Sequence, residues 1–205
     1  SLAGLKESRT ISRQLSTTQA ALLPVGFAAA IVATTRLMPQ VTTHSTITAS
    51  FYGAAGVLVI GALVFYLAAL RSGRDLSWAV VIKTPHWLQM LAQGSLMVYW
   101  GAFLPAVYGN MQLIVGQLFF AYGFDALLQL ARGNQFKLGF GPFPILFSIN
   151  FFLWFRPEFY YWQFVVIALG FAAKSFIHWK RDGATRHIFN PSSFPLSVFS
   201  LVLIL

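Results

Sequence analysis

The stretch from Ile47 to Leu70, ITASFYGAAGVLVIGALVFYLAAL, contains no charged side chain. A helix rises about 1.5 Å per residue and a bilayer's hydrocarbon core is about 30 Å thick, so a run of this length reads first as a membrane-spanning helix. Composition extends that reading to the whole chain. Of its 205 residues, 57% are hydrophobic and only 9% are charged, whereas soluble domains carry about a quarter charged residues. The useful unit along this chain is therefore the span and not the soluble domain.

Around the run at 47–70, further apolar segments are predicted at 18–35, 86–108, 111–130, 140–155, 159–177 and 192–205. Residues 1–17 read as a basic cytoplasmic tail and 18–205 as a single transmembrane domain. The expected fold class is an all-α, polytopic bundle of about seven membrane segments. Gly53, Gly56 and Gly61 are expected to admit a neighbouring helix closely. Gly109 and Asn110 are expected to separate the third and fourth segments. The Gly/Pro-rich LGFGPFP at Leu138 to Pro144 leaves only eleven clearly apolar residues after it, Ile145 to Phe155. That segment is either a helix extended through the prolines or a re-entrant half-helix, and 188–200 is a second candidate discontinuity. The closing SVFSLVLIL stops within an apolar run, which suggests a sequence that continues past Leu205.

Lysine and arginine fix the expected orientation, because cytoplasmic loops carry their excess. Twelve of the fourteen fall in the N-terminal tail and alternate loops, at 6, 9, 13, 71, 74, 83, 132, 137, 174, 180, 181 and 186; the opposite side keeps Arg36 and Arg156. The split places the N-terminus in the cytoplasm and favours a full crossing at 140–155, since a re-entrant loop would invert everything after it. Trp and Tyr at segment ends suit a lipid–water boundary. The net charge of +9 comes from short clusters between apolar runs. A nucleic-acid surface needs basic residues gathered on one solvated face, so none is expected. The chain has no cysteine, which removes disulfides and thiolate-ligated metals.

Two charges lie within apolar runs. Asp125 is expensive in a membrane unless it is paired or faces water; it reads either as an ion- or proton-handling group or as half of a structural pair with Arg132 or Lys174. Lys174 can carry its charge to the interface on its long stem. His86 and His178 sit at matched depth, the geometry a bis-histidine haem needs, but each lies beside a tryptophan where haem would be poorly enclosed. No two histidines have the spacing of a helical metal site, and no metal is expected. In Arg181 to Ser193, RDGATRHIFNPSS, Asn190 and Pro191 have the order of a helix cap and first turn. Thr185, Arg186, His187 and Asn190 would then gather where a phosphate could sit.

The residues GFGPFPILFSINFFLWFRPEFYYWQFVVIALGFAAK and RDGATRHIFNPSSFPLSVFSL resemble the membrane family (RnfD/NqrB-like) that contains the D subunit of Rnf-type electron-transport complexes and the B subunit of sodium-translocating NADH:quinone oxidoreductase. The chain is more similar to the divergent branch found with enediyne biosynthesis clusters. Phe189, Asn190, Pro191, Ser192 and Ser193 match the family's FNP-small-small helix opening. The resemblance implies a multi-pass subunit of the bacterial cytoplasmic (inner) membrane, packed with other subunits of a redox or photosynthetic complex. It also implies FMN or riboflavin as cofactor, with Thr185 of Asp182-Gly183-Ala184-Thr185 as the attachment residue. The family's serine at the first position is Asp182 here, and its upstream acid is missing. Three functions follow from these readings: an electron-transport subunit, an accessory subunit without a cofactor of its own, and a transporter or channel.

Overall fold

A computed structural model of the chain describes residues 10–72, 76–133, 135–181, 184–187, 190 and 192–204. Helices make up most of them. Ser16 opens α1 (Thr17–Leu37) with a capping box: its Oγ accepts from the Gln19 N–H at 3.2 Å and its N–H donates to Gln19 Oε1 at 3.1 Å, satisfying two amides. A single turn, α2 (Pro39–Thr42), leads to α3 (Ser45–Ser72). Next come α4 (Thr84–Phe103), α5 (Pro105–Ala131), α6 (Pro142–Phe152), α7 (Tyr161–Phe176) and α8 (Ser193–Ile204). The break between α4 and α5 falls at Leu104, not at Gly109–Asn110, which lie inside α5. Pro105 causes the shift, because a proline lacks an N–H and holds the preceding residue extended; Leu104 has φ −119° and ψ 105°.

Two small sheets join the helices where only a tail and loops were expected. β1 (Thr10–Leu15), β2 (Leu76–Val81) and β3 (Phe136–Leu138) pair in that order, β1 with β2 antiparallel and β2 with β3 parallel. The register sets Leu15, Leu76, Trp78, Phe136 and Leu138 on one face, and all five pack on the core. Ser12, Gln14, Ser77 and Lys137 alternate onto the other face, where Gln135 Nε2 donates to Ser12 Oγ at 2.9 Å and to Ser77 Oγ at 3.3 Å. β4 (His178–Arg181) and β5 (Ala184–His187) form a separate antiparallel hairpin.

The first sheet fixes the course of the chain. β1 precedes α1, β2 follows α3 and β3 follows α5, so their pairing brings the start of α1 and the ends of α3 and α5 to one end of the bundle, the sheet end. At the far end Gln40 of α2, His44, Pro105, Phe155, Pro157 and Tyr160 line one cavity. The segment predicted at 140–155 therefore runs the length of the bundle and does not turn back. It does so as a broken element: the eleven residues of α6 cover about 16 Å, and the non-helical residues 153–156 add at most about 13 Å.

Helix α5 is central and touches α1, α3, α4, α6 and α7. Close helix approach was expected at Gly53, Gly56 and Gly61, but the first two face open space. Gly61 does sit close to a neighbour, since a Cβ there would run into Leu127 of α5, and α5 has tight positions of its own: a Cβ on Gly116 would run into the Phe51 ring, and one on Gly123 into Leu58 and Phe27. Gly139 is less forgiving, since its Cβ would strike the Val81 carbonyl oxygen, which is backbone and cannot rotate aside. We expect Gly139→Ala to destabilise by about 1–3 kcal/mol. Gly53→Ala should be neutral or stabilising by up to about 1 kcal/mol, because alanine favours a helix interior. Thermal unfolding of the two variants in detergent checks the contrast.

By length and composition α1, α3 and α5 can cross a membrane, while α6 and α7 are shorter apolar helices. The bundle's outside is greasy: Val57, Ile60, Leu63, Val64 and Leu67 of α3 and Leu88, Leu91, Val98, Tyr99 and Phe103 of α4 are exposed.

Candidate functional site

Breaking a helix at Leu153 frees carbonyl groups that must find donors in a dry interior. Amide side chains from three elements supply them. Gln163 on α7 approaches Leu153 O at 3.3 Å and Asn150 Oδ1 at 3.4 Å through Nε2. Asn150 on α6 donates through Nδ2 to Leu146 O at 3.0 Å and to Gln117 Oε1 at 2.7 Å. Gln117 on α5 donates to the Tyr160 hydroxyl oxygen at 2.6 Å. All four residues are at most 3% exposed.

The two backbone carbonyls only accept, so they fix which way each amide points. Donation runs one way, from Gln163 through Asn150 and Gln117 to Tyr160. It leaves an acceptor, Gln163 Oε1, without a partner at one end. At the other end the tyrosine oxygen is occupied as an acceptor, and its proton is directed elsewhere. Sequence reasoning missed this cluster because the amides carry no charge; the available signal was three amides set inside apolar runs.

The charges found in the sequence form a second polar site nearer the sheet end. Lys174 Nζ lies 3.5 Å from Asp125 Oδ1, and Gln129 Nε2 reaches the same oxygen at 3.4 Å. Lys174 also sits over the Phe171 ring, 5.3 Å from its centroid. Of the two partners considered for Asp125, Lys174 takes the role; Arg132 lies over the Phe176 ring at 5.1 Å. Asp125 is two turns from Gln117 on α5, about 12 Å along the axis. Buried Phe120, Ala121, Phe164, Ile167 and Phe171 belong to the apolar core on the two helices. The two polar sites are thus separate.

Thr185, Arg186 and His187 lie on β5, with Thr185 in register with Lys180 and His187 with His178; their side chains fall outside the described residues. Asn190 acts as a cap. Its carbonyl accepts from the N–H groups of Ser193 at 3.0 Å and Phe194 at 3.1 Å. Its Oδ1 accepts from Ser192 N at 3.2 Å and Ser192 Oγ at 2.9 Å. His86 is half-buried near the start of α4, with Gly141 beside its ring, and the side chain of His178 lies outside the described residues. Among the described residues no three His, Asp or Glu gather as a metal site.

Two of the cavities adjoin these elements. A groove of about 660 Å³ between α4, α5 and α6 is almost wholly apolar and is lined by Met90, Met97 and Met111 with Gly94 and Phe147. A vestibule of about 400 Å³ at the far end mixes polar and apolar walls, among them Gln40, His44, Ala106, Asn110 and Tyr160. No protein-family profile, curated protein or solved structure matches the chain.

Proposed function

We propose that the protein is a seven-pass integral membrane subunit of a larger redox assembly, with its sheet end in the bacterial cytoplasm. The observation that carries this reading is the β1–β2–β3 sheet. It holds three successive basic stretches, with Arg13, Lys83 and Lys137 exposed, at one end of a bundle whose flanks are apolar. Positive charge on one side of a greasy cylinder is the pattern of a protein oriented in a bilayer. The redox assignment rests on the resemblance of the C-terminal third to the Rnf D and NADH:quinone oxidoreductase B subunits.

The amide cluster favours a supporting role over transport. Proton relay needs groups that accept and donate in turn, and amide side chains held by backbone carbonyls do not exchange their roles. Asp125 is engaged by Lys174 and is separated from the cluster by apolar packing. Packing inside a complex is the work this interior suits. A flavin reading has one observation in its favour: the register of the hairpin pairs the Thr185 position with the Lys180 position. Bound FMN would supply one-electron chemistry, and the chain would hold its phosphate at the hairpin.

The absence of native cysteine makes topology directly testable. Lys137→Cys should be labelled by an impermeant maleimide only from the cytoplasmic face of sealed vesicles, and His44→Cys only from the other. Labelling of both from one face sinks the topology. Native purification should bring down redox subunits, and in-gel fluorescence lost in Thr185→Ala would assign a covalent flavin. A colourless protein that still co-purifies with its partners would leave the accessory role.

A further inference from the structure

Three of the chain's four methionines, Met90, Met97 and Met111, line the groove between α4, α5 and α6. Unbranched thioether side chains adapt their shape to a flexible apolar occupant. The volume of about 660 Å³ falls within the range of ligand pockets. Its depth is limited. From Met90 to Tyr99, both lining residues, the α4 wall extends about 13 Å, close to the roughly 15 Å that one leaflet contributes to a hydrocarbon core. A spanning helix would need about 30 Å of wall, so the groove fits a chain drawn from a single leaflet.

The sheet end of the groove carries positive charge. His86 precedes the lining residue Met90 by one turn of α4. A Cβ on Gly141 would lie 3.6 Å from the His86 Nδ1 atom, and Gly141 is two residues ahead of Phe143, which lines the groove from α6. The imidazole therefore stands where α4 and α6 come together at the head of the groove. Lys83, whose carbonyl accepts the His86 N–H at 3.0 Å, is exposed and near enough to act electrostatically on the ring. Lys174 acts on the ring as well, but Asp125 meets its charge. The other described carboxylate, Glu158, belongs to the far end beside Pro157. Among the described residues the Lys83 ammonium thus has no carboxylate partner. An apolar trough one leaflet deep, headed by a free cation, is complementary to a phospholipid with a negative headgroup.

We propose that the groove between α4, α5 and α6 holds an acyl chain of an anionic phospholipid from the sheet-end leaflet, with the lipid phosphate at Lys83 and His86. The inference rests on the bilayer placement proposed above and not on the redox assignment. The two fail separately, since lipid retention in detergent depends neither on which end faces the cytoplasm nor on any partner subunit.

The test uses the full chain, delipidated in dodecyl maltoside and titrated with dioleoyl-phosphatidylglycerol or dioleoyl-phosphatidylcholine, with retained lipid counted by native mass spectrometry. We expect one phosphatidylglycerol per chain, held about fivefold better than phosphatidylcholine, and loss of that preference in Lys83→Glu. Gly94→Leu, which puts a side chain into the groove wall beside Phe147, should sharply lower retention of both lipids. Ser95→Phe, from an exposed position on the same wall, fills the groove if Gly94→Leu does not fold. Arg36→Glu makes the same charge change at the end of α1 and should alter neither lipid. Equal retention of the two lipids by the unaltered chain, a preference that survives Lys83→Glu, or retention indifferent to groove filling overturns the proposal. A lipid-free dimer would overturn it as well, by making the groove an interface between copies of the chain.

Discussion

Replacing Lys174 with methionine is expected to destabilise the protein by about 3 kcal/mol, toward the lower end of what is seen when one partner of a buried ion pair is removed. The size of the effect follows from unequal burial. The Asp125 side chain is 6% exposed and that of Lys174 is 26% exposed, so removing the lysine strands a carboxylate in the interior, left with a long contact to the Gln129 amide. The reciprocal change, Asp125→Asn, should cost only about 1 kcal/mol, because the ammonium can move out along its flexible stem. Combining the two should recover most of the loss from Lys174→Met, since no charge is then left buried. Thermal unfolding of the four proteins in one detergent measures the cycle. Equal losses from the two single changes would mean that the pair is not asymmetrically buried as described.

Asn150→Leu should be at least as damaging. Asn150 joins the other two amides, Gln117 and Gln163, and its removal leaves Gln117 Oε1 without its donor and Gln163 Nε2 without one of its acceptors. Each buried polar group left unsatisfied costs about 1–3 kcal/mol, so the sum for the two is about 2–6 kcal/mol. The local signature should be distinctive. Gln163 also reaches Leu153 O, so losing its anchor loosens the end of α6, and protease cleavage or hydrogen exchange should rise first around residues 153–156. Gln93→Leu, which removes the single α4–α6 bond from Gln93 Nε2 to Ser148 Oγ, is the control and should leave that stretch protected. Uniform loosening throughout the bundle would count against a specific role for the cluster in closing the broken helix.

The helices were legible in the sequence because hydropathy acts locally: an apolar run such as 47–70 declares itself without reference to the rest of the chain. Their boundaries moved by a few residues, and the one misplaced break arose from weighing Gly109 and Asn110 above Pro105, when only the proline removes a donor. The sheet was not legible. β3 has three residues, and Gln135 finds Ser12 across 123 positions, a pairing that no local window contains. The Leu76–Val81 alternation of apolar and small residues was the one usable hint. Asp125 and Lys174 stood out because charge is rare in such runs. Gln117, Asn150 and Gln163 did not, since a neutral amide barely lowers the hydropathy of its neighbourhood while its buried hydrogen bonds decide how the helix ends meet.

The sheet also bears on biosynthesis. Its first strand emerges from the ribosome early, yet its central neighbour follows only after α3, and the last strand only after α5. During that interval the edges of β1, and later of β2, remain available to other chains or to chaperones. Products that stop before residue 136 cannot close the cap over the helix ends, and a cell should recognise them as unfinished by that open edge.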